Sequence, residues 1–238
     1  MYHQVDVPPP SGTPARGMVV SPGAFARQMA LLAAFGWRTI GLAELGRALA
    51  GRGAAPRTLA ITFDDGYRNN LEHALPVLQR HRFTATCYAV SSLFGSTNRW
   101  DEGKGVPRKQ LMDGSDWRAW LAGGMEVGAH GRRHLDLRTL DGAAARDEIA
   151  GSRRELEDSL GVPIRHFCYP YGSFDPRDRD LVREAGFATA TTVERGRAAP
   201  GADLLALPRV LIAQSTHLGH FLLKLATGYE DRRTKAPR

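Results

Sequence analysis

The chain has 238 residues, of which 42% are hydrophobic, enough to bury one sizeable core in a single domain spanning residues 1–238. Its net charge of +7 comes from arginines scattered among acidic residues, with no basic block of the kind that tracks a phosphate backbone, so nucleic acid is not an expected partner. No run approaches the ~20 continuous apolar residues of a membrane helix, and Cys87 and Cys168 lack any CxxC-type spacing, which argues against a disulfide framework or a cysteine zinc site.

The opening "MYHQV" reads as a strand whose first half is missing, with no basic segment and apolar core of a signal peptide. As given, the chain is expected in the cytoplasm; a start upstream of Met1 would make it an exported protein. Ser21 and Pro22 are an N-cap and first-turn pair for a helix that stops at Gly36. A short strand at Trp37 to Ile40 and a second helix follow. "TLAITF" and "TATCYAV" are short apolar runs suited to buried strands, and the helix between them should bend or start late at Pro76. Ser91 to Asp116 form a long polar, glycine-rich connection, of a length that is often functional. Then come a helix ("WRAWLAGG"), a strand ("MEVGAH"), a helix from Asp141 to Leu160, a strand ("HFCYP"), a helix from Pro176 to Ala185, a strand ("ATATTV") and a polar, frayed tail of about ten residues ("EDRRTKAPR"). Alternating strands and helices predict parallel strands in a barrel or doubly wound sheet, with function at their carboxyl ends.

Three of those strand ends carry chemistry. "FDDG" puts Asp64 and Asp65 side by side; inside regular β structure they would face opposite ways, but past the strand end, with Gly66 in the turn, they can share a site. A cation rationalises the pairing, one carboxylate binding it and the other staying free as a base, although "DDG" alone also reads as a turn in which Asp65 caps the next helix. "HGRRH" sets His130 and His134 four apart, a spacing from which two imidazoles reach one ion, or two unrelated surface histidines. "RHFCYPYG" ends in a Pro170, Tyr171, Gly172 turn that can aim a backbone N–H at an oxyanion, while Arg165 can orient a carboxylate.

Taken together, "TFDDG", "HGRRH" and "YPYG" resemble the polysaccharide deacetylases of the NodB-homology type (carbohydrate esterase family 4), in order and separation across nearly the whole chain. The resemblance implies a distorted (β/α)7 barrel, Asp64 as general base, and Asp65, His130 and His134 as ligands of a divalent metal, usually zinc, with Co2+, Ni2+ or Mn2+ as alternatives. It also implies an oxyanion held by the metal and the Tyr171 N–H. The chain departs from the family at Gly131, where a loop-bracing Ser or Thr is usual, at Arg165, which lies further from the Pro-Tyr pair, and in lacking the late apolar run that ends in an acid histidine. His217 and His220 suit a surface or core position better. "MYH" resembles the opening of the family branch acting on poly-N-acetylglucosamine, which makes His3 the general acid, with Asp175 as a candidate partner. "TNRWD" and "ALPRVLI" resemble the same branch; Trp100 stacks on a sugar ring or plugs the core.

The implied activity is removal of N-acetyl groups from an amino-sugar glycan. The competing expectations are a deacylase or deformylase of a small or lipid-linked N-acyl sugar, and a glycan-binding module without catalysis.

Overall fold

A computed structural model describes residues 1–51 and 53–233. Strand β1 (Gln4–Val5) pairs in parallel with β2 (Val19–Val20). Helix α1 (Pro22–Ala34) starts where the Ser21 hydroxyl accepts the Ala24 N–H and stops before Gly36, whose φ of 70° suits glycine. Strand β3 (Arg38–Thr39), helix α2 (Leu42–Ala50) and strand β4 (Thr58–Leu59) follow, with β3 and β4 paired in parallel. "TLAITF" is therefore two strands and not one: β4 belongs to that small ribbon, whereas β5 (Thr62–Phe63) enters the main sheet beside β6 (Thr86–Ala89). Between β5 and β6 a π-helical turn (Asn70–Ala74) leads into α3 (Leu75–His81). Pro76 sits in the first turn of α3, directly after the π-helical turn.

Helix α4 (Gly114–Ala122) begins three residues ahead of Trp117 because Asp113 and Asp116 form a reciprocal capping box. Strand β7 (Glu126–Ala129), helix α5 (Gly142–Leu160, capped by Asp141), strand β8 (His166–Cys168), helix α6 (Pro176–Glu184, capped by Asp175) and strand β9 (Thr189–Arg195) then alternate as the pattern predicts. Two elements follow: β10 (Leu207–Arg209), which the sequence did not announce, and α7 (Leu218–Ala226), the apolar helix-like stretch of "STHLGHFLLKL", capped by His217. Asp175 is spent on its helix cap and on Arg177, which removes it as a partner for His3. Among the described residues no helix is long and apolar enough to cross a membrane.

The main sheet runs β10-β9-β8-β7-β6-β5, every neighbour parallel. The first residues of the chain close it. Tyr2 pairs with Phe63 on the β5 side, donating to Thr62 O (2.8 Å) and accepting from Asp64 N (3.1 Å). Met1 donates from its backbone N to Val210 O (2.9 Å) and accepts from Ile212 N (3.0 Å) just beyond β10. This short seventh stave completes the distorted (β/α)7 barrel. An aromatic cluster seals it from beneath: the Tyr2 ring lies 5.2 Å from Phe25 and 5.6 Å from Phe63, and Phe63 lies 5.8 Å from Trp120.

The tail expectation needs correction. Glu230 is buried and accepts two hydrogen bonds from Arg195 (2.6 and 2.9 Å) and a third from Lys224, so order extends further than polarity suggested. Residues 234–238 of the expected tail lie outside the described residues.

The opening segment is pinned from the side by one amide. Buried Asn70 accepts from Val5 N (3.1 Å) and donates to His3 O (2.8 Å). Asn70→Ala strands both backbone groups and should cost roughly 2–3 kcal/mol in urea denaturation; a loss under ~0.5 kcal/mol, the size of an ordinary surface substitution, would show that the amide is no strut.

Candidate metal centre and active site

Past the end of β5 the backbone reverses through two consecutive left-handed residues, Asp65 (φ 73°) and Gly66 (φ 74°). A Cβ on Gly66 would lie 2.8 Å from the Trp117 ring, so both conformation and space demand glycine there. The reversal takes Asp65 out of strand alternation and leaves both carboxylates buried at the same barrel mouth.

The loop after β7 delivers the imidazoles. Asp65 Oδ1 lies 3.3 Å from His130 Nε2 and 3.3 Å from His134 Nε2, and all three residues are buried. His130 Nδ1 is 2.7 Å from the Cys168 carbonyl, which can only accept; the hydrogen therefore sits on Nδ1, and a neutral ring turns the lone pair of Nε2 toward Asp65. A carboxylate oxygen and two imidazole nitrogens facing one another repel unless positive charge lies between them. With protons alone the balance is unequal. Burial opposes a charged His130, yet Cys168 and Asp65 hold its pKa well above the ordinary value; burial, with His130 beside it, pushes His134 below its own. One proton thus satisfies one imidazole, whereas a divalent cation satisfies both. A separation of 3.3 Å is also the corner-to-corner distance of a tetrahedron with ligand bonds of ~2.0–2.1 Å. The donor set fits a divalent cation.

Trp100 and Tyr171 wall this group. The Trp100 ring stacks on His134 (4.4 Å between centroids, 27° between planes), and Tyr171 meets the same imidazole edge-on at 4.5 Å. One face of Trp100 is thus spent on the ligand ring. Pro170 opens the 3-10 turn after β8 and is buried; Tyr171 follows at φ 59° with its side chain 45% exposed, and among the described residues no acceptor takes its backbone N–H.

Asp64 is held from two other sides. Arg209 clamps it bidentately (Nη1 to Oδ1 2.6 Å, Nη2 to Oδ2 2.7 Å), while His3 Nε2 stands 3.8 Å from Oδ2. Burial would raise the Asp64 pKa, but the Arg209 charge and its hydrogen bonds, with His3, bring it below the usual carboxylate value. Arg209 is itself fixed by Thr192 O (2.7 Å) and Thr62 Oγ1 (3.2 Å), and its guanidinium lies 3.2 Å from Cys168 Sγ. Arg165, expected to orient a carboxylate, is exposed ahead of β8, at the opposite end of that strand from the turn at Pro170. The arginine that does so comes from β10, in "ALPRVLI"; its signal was a lone cation inside an apolar strand.

Residues 51–190 match the family model described as polysaccharide deacetylase. The chain belongs to the polysaccharide deacetylase family. This span holds Asp64, Asp65, His130, His134 and Tyr171, whereas His3 and Arg209, the two groups that face Asp64, come from outside it. Among curated relatives, the chain is 24% identical over 181 residues to the poly-β-1,6-N-acetyl-D-glucosamine N-deacetylase of Staphylococcus epidermidis, an alignment covering 74% of this chain and 61% of that one. With the Escherichia coli K12 enzyme of the same name it is 26% identical over 250 residues, covering 90% of this chain and 37% of that protein. The chain thus spans about a third to three fifths of those relatives' lengths. The fold is shared with the Streptococcus pyogenes deacetylase PplD (TM-score 0.83, 21% identity, 94% of this chain and 96% of that one). It is also shared with a Bacillus cereus polysaccharide deacetylase (TM-score 0.78, 25% identity, 94% and 67%).

Two outcomes follow for this deacetylase-family chain. Arg209→Gln leaves Asp64 uncompensated and should cost about 3–5 kcal/mol at pH 7. Because Asp64 is held down by Arg209, the wild type keeps that benefit above the ordinary carboxylate pKa and loses it only below. Urea midpoints of the two proteins should therefore converge as the pH falls from 7 towards 3. Titration of chelator-stripped protein with Zn2+ should saturate at about one equivalent, and Asp65→Ala should weaken binding at least a hundredfold; an unchanged isotherm would remove Asp65 from the ligand set.

Proposed function

We propose that the chain is a glycan N-deacetylase, hydrolysing the N-acetyl amide of amino sugars in a polymer of the poly-N-acetylglucosamine class. The observation that carries this reading is the placement of Asp64. It is ionised by its Arg209 contact, has His3 on one side, and its carboxylate stands among ring nitrogen and sulfur atoms of His130 and Cys168 that all fall within 4.8 Å of one another. A base and a ligand set are thereby contiguous but separately held. The names of the relatives point to a polymeric glycan over a small conjugate.

When bound by Asp65, His130 and His134, a divalent cation, zinc by the N/O character of this set, supplies Lewis acidity for the acyl oxygen and for the attacking water. Asp64 takes the proton of that water as its oxygen bonds to the acyl carbon. Arg209 keeps the carboxylate aimed and, by lowering its pKa, keeps it unprotonated at neutral pH. The Tyr171 N–H, which no protein acceptor engages among the described residues, supplies a hydrogen bond to the developing oxyanion. His3 Nε2 gives a proton to the departing nitrogen as the C–N bond breaks, leaving acetate and a free amine. Trp100 and Tyr171 hold the His134 ring from two directions and keep bulk water from it.

Acetate release from β-1,6-linked N-acetylglucosamine oligomers tests the assignment. Asp64→Asn should lower kcat by about 10²–10⁴, the usual contribution of a positioned base, without weakening Zn2+ binding by more than a few-fold. Full activity in that variant would overturn the base assignment, and activity that survives chelation would overturn the metal reading.

A further inference from the structure

The loop from His130 to His134 has no regular secondary structure, and His134 itself is left-handed (φ 61°), as is Gly131 (φ 74°). Such a backbone holds one shape only if something outside it fixes its polar groups. On the N–H edge of the loop that something is one buried carboxylate on α5. Glu148, 0% exposed, accepts from Arg132 N (3.0 Å) and Arg133 N (2.9 Å) through Oε2, and from Arg133 Nε (2.6 Å) through Oε1. The two successive N–H groups lie between the two imidazoles. The approach is close: a Cβ on Gly131 would sit 3.2 Å from Glu148 Oε2.

The surroundings reinforce the clamp from the same helix. Arg132 crosses α5 over Gly151, where a Cβ would lie 2.7 Å from its Cδ, and pairs with Asp147 and with Glu155 (Nε 2.8 Å, Nη2 2.6 Å). Glu155 also accepts from the Ser91 and Ser92 hydroxyls, and the Ser91 and Ser92 N–H groups bond the carbonyls of Gly131 and Arg132 at 3.2 and 3.0 Å. Both edges of the loop are thereby tied, the N–H edge to α5 and the carbonyl edge to the turn after β6.

We propose that Glu148 is a positioning residue of the metal centre: it fixes the His130–His134 loop in the shape that brings both Nε2 atoms to Asp65. The inference rests on the metal reading above. A buried carboxylate facing backbone N–H groups is costly unless all of its bonds are kept, so its retention inside a helix interior needs a use, and the loop it holds is the one that carries the imidazoles.

The test compares Zn2+ affinity, by competition with a chromophoric chelator on stripped full-length protein, in wild type, Glu148→Met and Ile149→Val. The Met variant keeps length and helix propensity but accepts no hydrogen bond; the Val variant trims a buried core side chain on the same helix and removes none of the loop's hydrogen bonds. Glu148→Met should weaken Zn2+ binding ten- to a hundredfold, the range seen when a group supporting metal ligands is lost, and should alter the visible spectrum of bound Co2+. Ile149→Val should bind as wild type. Zn2+ affinity within twofold of wild type in Glu148→Met, whatever its melting temperature, would overturn the proposal. Should the Met variant not fold, Glu148→Asp, whose shorter arm cannot reach both N–H groups, is read against the same limits. A wild type that binds no Zn2+ would instead sink the metal reading, and this inference with it.

Discussion

Two carboxylates, Asp64 and Asp65, are buried next to each other, and the rest of the molecule is arranged to compensate that negative charge. An uncompensated buried carboxylate would take up a proton or unfold the chain. Each of the two is answered differently. Asp64 receives a fixed guanidinium from β10, so it remains an anion with free lone pairs. Asp65 receives two imidazole nitrogens, which can share its charge only through a cation or a proton. The same repulsion is thus resolved into a base on one side and a ligand on the other.

That division explains why the barrel closes as it does. Arg209 reaches Asp64 because β10 joins the sheet edge opposite β5, and the Met1–Tyr2 stave draws those two edges together while carrying His3 to the same carboxylate. The aromatic packing of Tyr2 on Phe25 and Phe63 and the amide of Asn70 hold this stave in place of a longer strand. Stability and site geometry draw on the same contacts at this seam.

The loops at the mouth are irregular, and each is governed by a partner from elsewhere in the fold. Asp65, His134 and Tyr171 are all non-glycine residues in the left-handed region, each followed or preceded closely by a glycine or a clamp. Local strain of this kind persists only where surrounding bonds over-determine it. Glu148 does so for the histidine loop, and Met112 N, donating to the Gly66 carbonyl at 2.9 Å, for the aspartate turn.

By itself the sequence determined the alternation of strands and helices, the helix cap at Ser21, and the grouping of "FDDG", "HGRRH" and "YPYG" at strand ends, because periodicity, capping and turn chemistry are local. Only the tertiary structure decided that "TLAITF" splits between two sheets, that Glu230 is buried, that Arg209 and not Arg165 faces Asp64, and that Asp175 and His217 are caps. Arg165 and Arg209 are both strand-associated arginines, and although Arg209 is a lone cation in an apolar run, neither's local sequence names the carboxylate it meets. Which one meets the carboxylate depends on the end of the strand it occupies and on how the barrel closes, and a barrel closes through contacts between residues as distant as Met1 and Val210.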